Sequence, residues 1–487
     1  MVRGGRPEAL IATWNVAWNA RGGVAGKQAI ARRCAARATT VCIAELALPL
    51  WPRQAWRLWA AIVLGLLYAR GIAAADQASD SKHLGVATCA SSLCHGSARV
   101  LTSRTVSQNE YVTWSHFDPH ARAYRVLREE QGTQIARRLG LKNAYEAPEC
   151  LACHSDSTPT ANRGEKFQLS DGIGCETCHG GSEHWLQTHD DTPTTTHTAN
   201  LAAGMRALEQ PQVRAQLCVS CHVGDTTRFA SHRMMAAGHP RLAFELDTYT
   251  ELWRTSGGRE HFQQDADYLA RKGKFEPVQT WLAGLTAVTR READLAEQRI
   301  TLAGGGFPDF ALFNCYSCHR SMRVAAWERA EEETSPPGSL RLHDGHARTL
   351  LAVLDATDLS LAAPFRNAIT MLQGANGNPT TIRAANQSLR EALETIQKQS
   401  ARNPWKRANL EAALDALVSA ARRGAFLDYA AAEQAAMGMV LLLAELDASG
   451  SRTAEVEDMF RTLQDDAQFD GDRFARALSL LTSSKSH

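Results

Sequence analysis

Ten of the twelve cysteines fall into five pairs, and every pair is followed at once by a histidine. Four read C-x-x-C-H: Cys150, Cys153 and His154; Cys175, Cys178 and His179; Cys218, Cys221 and His222; Cys315, Cys318 and His319. The fifth, CASSLCH, places four residues between Cys89 and Cys94 before His95. The residue usage of this chain would give roughly 0.01 such triplets by chance. C-x-x-C-H is the attachment signature of a c-type haem. Two thiols at this spacing reach the two vinyl groups of one porphyrin, and the next imidazole meets the iron. The longer CASSLCH loop must bulge to do the same.

Other uses of paired cysteines fit less well. Disulfides suit an exported chain, but they do not call for His after each second Cys. Zinc knuckles pair into four-ligand sites, and five pairs leave one over. A redox dithiol would stand once, within a βαβ pattern that is not visible. The expectation is five covalently bound haem c groups, with His95, His154, His179, His222 and His319 as proximal iron ligands.

Seventeen histidines are present, so the second face of each iron has candidates. YVTWSHFDPHARAYRVL offers His116 and His120. Asp118-Pro119 reads as a helix start, which predicts a helix from His120 to about Leu139. CHGGSEHWLQTHDD offers His184 and His189, TTTHTANLAAGM offers His197, and SHRMMAAGHPRLAFE offers His232 and His239. An isolated histidine is ordinarily a surface or satisfied core residue, but five vacant axial positions shift that expectation. His120, His184, His197, His232 and His239 are the expected distal ligands, with His116, His189 and His346 in reserve. Met234 and Met235 read as packing residues that could also ligate.

The tryptophan followed by D-P-H-A-R-A, and then CETCHGGSEH, resembles the multihaem cytochrome family typified by the tetrahaem electron acceptor of hydroxylamine oxidoreductase. The resemblance spans residues 85–325. It implies haem c, redox protein partners, and distal roles for His120 and His184. Two departures stand out: a fifth haem site led by CASSLCH, and a last 160 or so residues without a counterpart.

RQAWRLWAAIVLGLLYARGIAAADQ has a basic start at Arg53 and Arg57, an apolar run from Leu58 to Ala69, and Ala73-Ala74-Ala75 before Asp76. That is the plan of a signal peptide cleaved near 75/76. The run is short of the ~20 residues a membrane anchor needs. Residues 1–75, which hold Cys34 and Cys42, read as leader; those before Arg53 imply a misassigned start or an unusually long leader. The mature chain is then periplasmic. A net charge of +1 leaves no basic footprint for nucleic acid.

The fold class expected is mainly α. A loop-rich, haem-packed domain spans 76–330, where porphyrins supply apolar surface that side chains would otherwise provide. EEETSPPGS (331–339) is a linker. Beyond it, Leu389, Leu393 and Ile396, then Leu410, Leu414 and Leu417, then Phe474, Leu478 and Leu481 recur at i, i+4, i+7. Asn403-Pro404 and Asp470 read as helix starts, Gly424 and Gly450 as stops. Residues 340–487 are therefore expected to form an antiparallel helical bundle that packs or docks; His343, His346 and His487 are its only potential ligands.

Two functions follow. One is an electron-transfer cytochrome with mostly bis-histidine haems serving a redox donor and acceptor, with a membrane-associated electron-transfer complex as a possible setting. The other is an oxidoreductase acting on a small nitrogen or sulfur compound at one open haem. The pentahaem nitrite reductases match in haem count, but their C-x-x-C-K motif does not occur here. Electron transfer is the stronger expectation.

Overall fold

The computed structural model describes residues 81–101, 106–190, 196–254, 261–302, 308–319, 340–446 and 452–482. The leader with its cleavage site, the 331–339 linker, Gly450 and His487 lie outside the described residues. The protein is mainly α: among the described residues, extended pairing is limited to two isolated bridges, His83 with Arg163 and Phe313 with Leu342.

The first region is built of short helices between loops and 3₁₀ turns. They include α1 (Glu110–Phe117), α2 (Glu130–Leu139), α3 (Pro148–His154), α4 (Cys175–His179), α5 (Pro211–His222) and α6 (His232–Ala236). Its apolar clusters are small, such as Leu127 with Ala136, Ala144, Ala147 and Cys150. The helix expected from His120 to Leu139 is broken into three pieces. Asp118 does cap its start, accepting from the His120 N–H at 2.9 Å, but the first turn ends at Arg122 and α2 begins only at Glu130. Carbonyls that would carry the ladder onward are taken from outside: His120 O accepts from Ile173 N and Ala123 O from the His154 ring.

α7 (Pro277–Leu302) is the longest helix. It lies before the linker, yet Trp281, Leu285, Leu295 and Ile300 join one core with the helices beyond it. Those include α8 (Gly345–Thr357), α9 (Leu359–Gln373), α10 (Pro379–Arg402), α11 (Arg407–Arg422), α12 (Tyr429–Leu446) and α13 (Gly471–Leu478). The i, i+4, i+7 residues named above all lie in this core. Asp470 caps α13 through the N–H groups of Asp472 and Arg473, and Gly424 follows α11 with φ +84°. Asn403, by contrast, closes α10, and α11 starts at Arg407, where the Asn409 side chain accepts from Lys406 N. α12 is apolar nearly all round because it is the central helix of the domain, as a helix without a polar face must be. Gly438 on α12 is needed for this packing, since a Cβ there would meet the Trp281 ring at 2.4 Å.

A buried charge cluster anchors the start of this domain. Arg348 bonds Asp344 at 2.9 Å and also Asp428, which accepts in turn from Ala431 N. Burial, the largest influence, would raise the Asp428 carboxyl, but the Arg348 charge together with hydrogen bonds from Ala431 N, Arg348 and Asn314 holds its pKa below the ordinary value. A depressed carboxyl contributes stability that is present above the unfolded value of about 3.9 and is lost as pH falls through the folded value. Denaturant unfolding followed by circular dichroism is expected to show a lower midpoint for the helical domain at pH 3 than at pH 7; equal midpoints would remove this cluster from the stability account.

Candidate functional site

Each C-x-x-C-H motif occupies a helical turn, which puts positions i, i+3 and i+4 on one face. CLACH forms the last turns of α3, CETCH is α4, and CVSCH ends α5. CYSCH opens with a 3₁₀ turn, and His319 N donates to Cys315 O at 2.7 Å. CASSLCH bulges as its length requires: His95 N returns to Cys89 O at 3.2 Å and Gly96 N to Ser91 O at 2.8 Å. A Cβ on Gly96 would strike Ala90 O at 1.9 Å, so only glycine lets this loop close. Motifs distant in sequence come together at their free thiols, Cys89 beside Cys175 and Cys153 beside Cys221.

Glu176, inside CETCH, fastens the first of these meetings. Its buried carboxylate accepts from Leu84 N (2.8 Å), Gly85 N (2.7 Å), Ser182 N (2.8 Å) and Ser182 Oγ (2.5 Å). The segment entering CASSLCH is thereby tied to the loop leaving CETCH.

Four of the five proximal imidazoles face a second imidazole. The ring centroids lie 5.9 Å apart for His95 and His189, 6.3 Å for His154 and His239, 6.0 Å for His222 and His120, and 6.2 Å for His319 and His232. Two imidazoles on opposite faces of one iron, each with a metal–nitrogen bond of about 2 Å, put their centroids roughly 6 Å apart. The fifth, His179, is pulled down to about 3 by loss of solvation, helped by the charges of His261 and Lys272.

In four of these eight rings the remaining nitrogen is engaged as in metal-ligating histidines, the second N–H donating to a carboxylate or carbonyl. Nδ1 of His95 bonds Glu110 (2.8 Å) and Nδ1 of His120 bonds Asp118 (2.9 Å). Nδ1 of His154 bonds Ala123 O and Nδ1 of His239 bonds Pro240 O, both at 2.8 Å. Desolvation lowers His154, and it takes His222 to about 4, keeping both neutral, the form in which imidazole binds metal. A carboxylate behind a ligand makes it more basic and stabilises the oxidised iron. Glu110→Gln is therefore expected to raise one midpoint potential by roughly 60 mV, a tenfold change for one electron. A spectroelectrochemical titration in which no component moves would show that Glu110 does not tune this site.

The other expected ligands are placed differently. His184 is half-exposed beside Glu183, its Nε2 3.9 Å from that carboxylate. His197 gives its Nε2 to Glu209 at 3.0 Å. His116 is exposed next to Phe117, and His346 gives Nε2 to Phe244 O. Met234 packs against the small cluster of Ile135, Leu139 and Ala237. His189, held in reserve on sequence, takes the place opposite His95. Two histidines went unweighed: His261, near His179, and His83, whose Nδ1 bonds Asp156 at 2.6 Å. Neither stands in a motif, and only the fold brings them to the haem region. Among the described residues, no group of three or more His, Cys, Asp or Glu side chains forms a cage for a bare ion.

The thiol pairs on helical faces, the adjoining imidazoles and the roughly 6 Å partner spacing fit haem c. Residues 88–180, which hold the first three motifs, match the family model described as cytochrome c554 and c-prime. That match supports a c-type cytochrome with covalently bound haem, electron transfer as its role and redox proteins as its partners. No curated protein and no solved structure gives a significant match.

Proposed function

We propose that this chain is an exported, pentahaem c-type cytochrome that carries electrons between a redox donor and acceptor through mostly bis-histidine haems. The observation that carries this reading is the set of four imidazole pairs at 5.9–6.3 Å, one at each of four motifs. When bound, haem supplies a one-electron iron couple. The chain's own residues would hold four of the five irons on both faces, fix imidazole tautomers through Glu110, Asp118 and backbone carbonyls, and bring neighbouring motifs together at their thiols. Such a site carries electrons and leaves no face for substrate. The Arg53–Asp76 segment supports export to the periplasm, and the D-P-H-A-R-A and CETCHG segments support kinship with the tetrahaem acceptors of hydroxylamine oxidoreductase.

The second reading, an oxidoreductase for a small nitrogen or sulfur compound, belongs to the Cys175–Cys178 motif. There Lys272 acts on His179 beside the imidazoles of His261, His95 and His189, and the lysine supplies a cation suited to an oxyanion. Intact mass of the exported protein and carbon monoxide binding after reduction separate the readings. Five haem masses with no carbon monoxide adduct are expected for a carrier. One adduct per chain would put the oxidoreductase first, and fewer than five haem masses would remove a motif from the account.

A further inference from the structure

The CETCH helix α4 is too short to satisfy its own last carbonyls. Glu176 O accepts from Gly180 N at 2.8 Å. The next three carbonyls are all taken by one residue distant in sequence, Arg206. Its guanidinium Nη1 donates to Thr177 O at 2.5 Å and to Cys178 O at 3.2 Å, and its backbone N–H donates to His179 O at 3.0 Å. Gly180 lets the two segments close, since a Cβ there would meet Gly204 O at 3.1 Å. Arg206 therefore clamps the turn that carries His179 and sets a permanent positive charge against it.

Cations near the other motifs are offset by carboxylates. Arg228 donates to Ala152 O of CLACH at 3.0 Å, but it ion-pairs with Asp225 at 2.8 Å. Arg241, whose charge acts on Cys315, pairs with Glu433 at 2.9 Å. Arg214, one turn before Cys218, has the charges of Asp247 and Glu251 around it. At Arg206 the carboxylates within range are engaged elsewhere. Asp156 bonds the His83 ring at 2.6 Å and Thr158 Oγ1 at 2.7 Å. Asp118, whose charge also acts on Cys178, bonds the His120 ring. Glu176 ties CETCH to the segment entering CASSLCH, so its charge bears on both motifs. What distinguishes these two neighbouring sites is Arg206 at one and Glu110, behind His95, at the other.

We propose that Arg206 sets the reduction potential of the CETCH haem above that of its CASSLCH neighbour, so that an electron entering this pair settles at CETCH. This rests on reading both motifs as haem-attachment sites. Uptake of one electron from the redox donor turns ferric iron to ferrous and makes or breaks no bond in the chain. A cation beside the proximal imidazole disfavours the more positive ferric state, whereas a carboxylate behind a ligand favours it. Arg206 acts through the His179 turn, as a positioning residue.

The test is a spectroelectrochemical titration of the full-length exported holoprotein, with peptide mass mapping of its motifs. Arg206→Gln removes the charge, and one midpoint is expected to fall by roughly 60 mV, a tenfold change for one electron. Arg206→Lys loses the fork of hydrogen bonds but keeps the charge, and the same midpoint is expected to move less than half as far. An unmoved midpoint in Arg206→Gln would overturn the proposal, and equal falls in both variants would reduce Arg206 to a structural clamp and overturn it as well. The order is checked without altering Arg206: Glu110→Gln is expected to raise a different component, one of lower potential. If that component is the same one, or lies higher, the proposal is overturned. Absence of haem from the CETCH peptide of the unmodified protein would fail the attachment reading itself, a result distinct from an unmoved midpoint.

Discussion

In a His189→Ala variant one of the five haems is expected to become high-spin, whereas in His184→Ala all five stay as they are. The two histidines lie on the same short segment after CETCH, and the resemblance to the tetrahaem acceptors favours His184. The structure separates them. His189 faces His95 with 18° between ring planes and a 5.9 Å centroid distance. Its Nδ1 lies 3.3 Å from Asn200 Nδ2, and the Trp185 ring meets it edge-on at 5.6 Å. A ring held from two sides is ready to ligate without further ordering cost. His184 is 52 % exposed at its side chain, so ligation would have to draw it inward. The spin state of the oxidised variants, read by electron paramagnetic resonance, decides the matter. A high-spin signal in His184→Ala and none in His189→Ala would reverse the assignment.

Glu176→Ala is expected to destabilise the protein by about 4 kcal/mol. The substitution leaves the N–H groups of Leu84, Gly85 and Ser182 without their acceptor, each worth about 1–3 kcal/mol when buried and unmatched. Relief of the carboxylate's own desolvation offsets part of that sum. The loss reaches function because the same carboxylate holds the CASSLCH and CETCH motifs together, where Cys89 meets Cys175. Glu176→Gln keeps an acceptor oxygen and is expected to cost less than half as much. Guanidinium unfolding of the holoproteins measures both; a change under 1 kcal/mol in the Ala variant would mean that water replaces the carboxylate.

What the sequence could reveal here divides by range. The Leu389, Leu414 and Phe474 repeats announce core faces because helical period is local, and Asp470 announces a cap for the same reason. The proximal ligands are legible because thiols and imidazole must share one turn. The long helix expected after Asp118 fails because its carbonyls are claimed by Ile173 and His154, neither of which a local reading can see. Asn403-Pro404 reads as a start although Asn403 ends the preceding helix; both roles favour the same residues. Distal partners are the least legible. His189 and His95, or His239 and His154, meet only through the tertiary fold, and a histidine's neighbours in sequence do not tell which ring it will face. The bridge from Phe313, beside CYSCH, to Leu342 is of the same kind, hidden by a linker that reads as a boundary.

The most direct test of the central claim is electron paramagnetic resonance of the oxidised holoprotein, quantified beside its haem-to-protein ratio. The five attachment motifs predict a ratio of five, and the four imidazole pairs predict at least four low-spin irons per chain. Two or more high-spin irons, or a ratio below four, would contradict it.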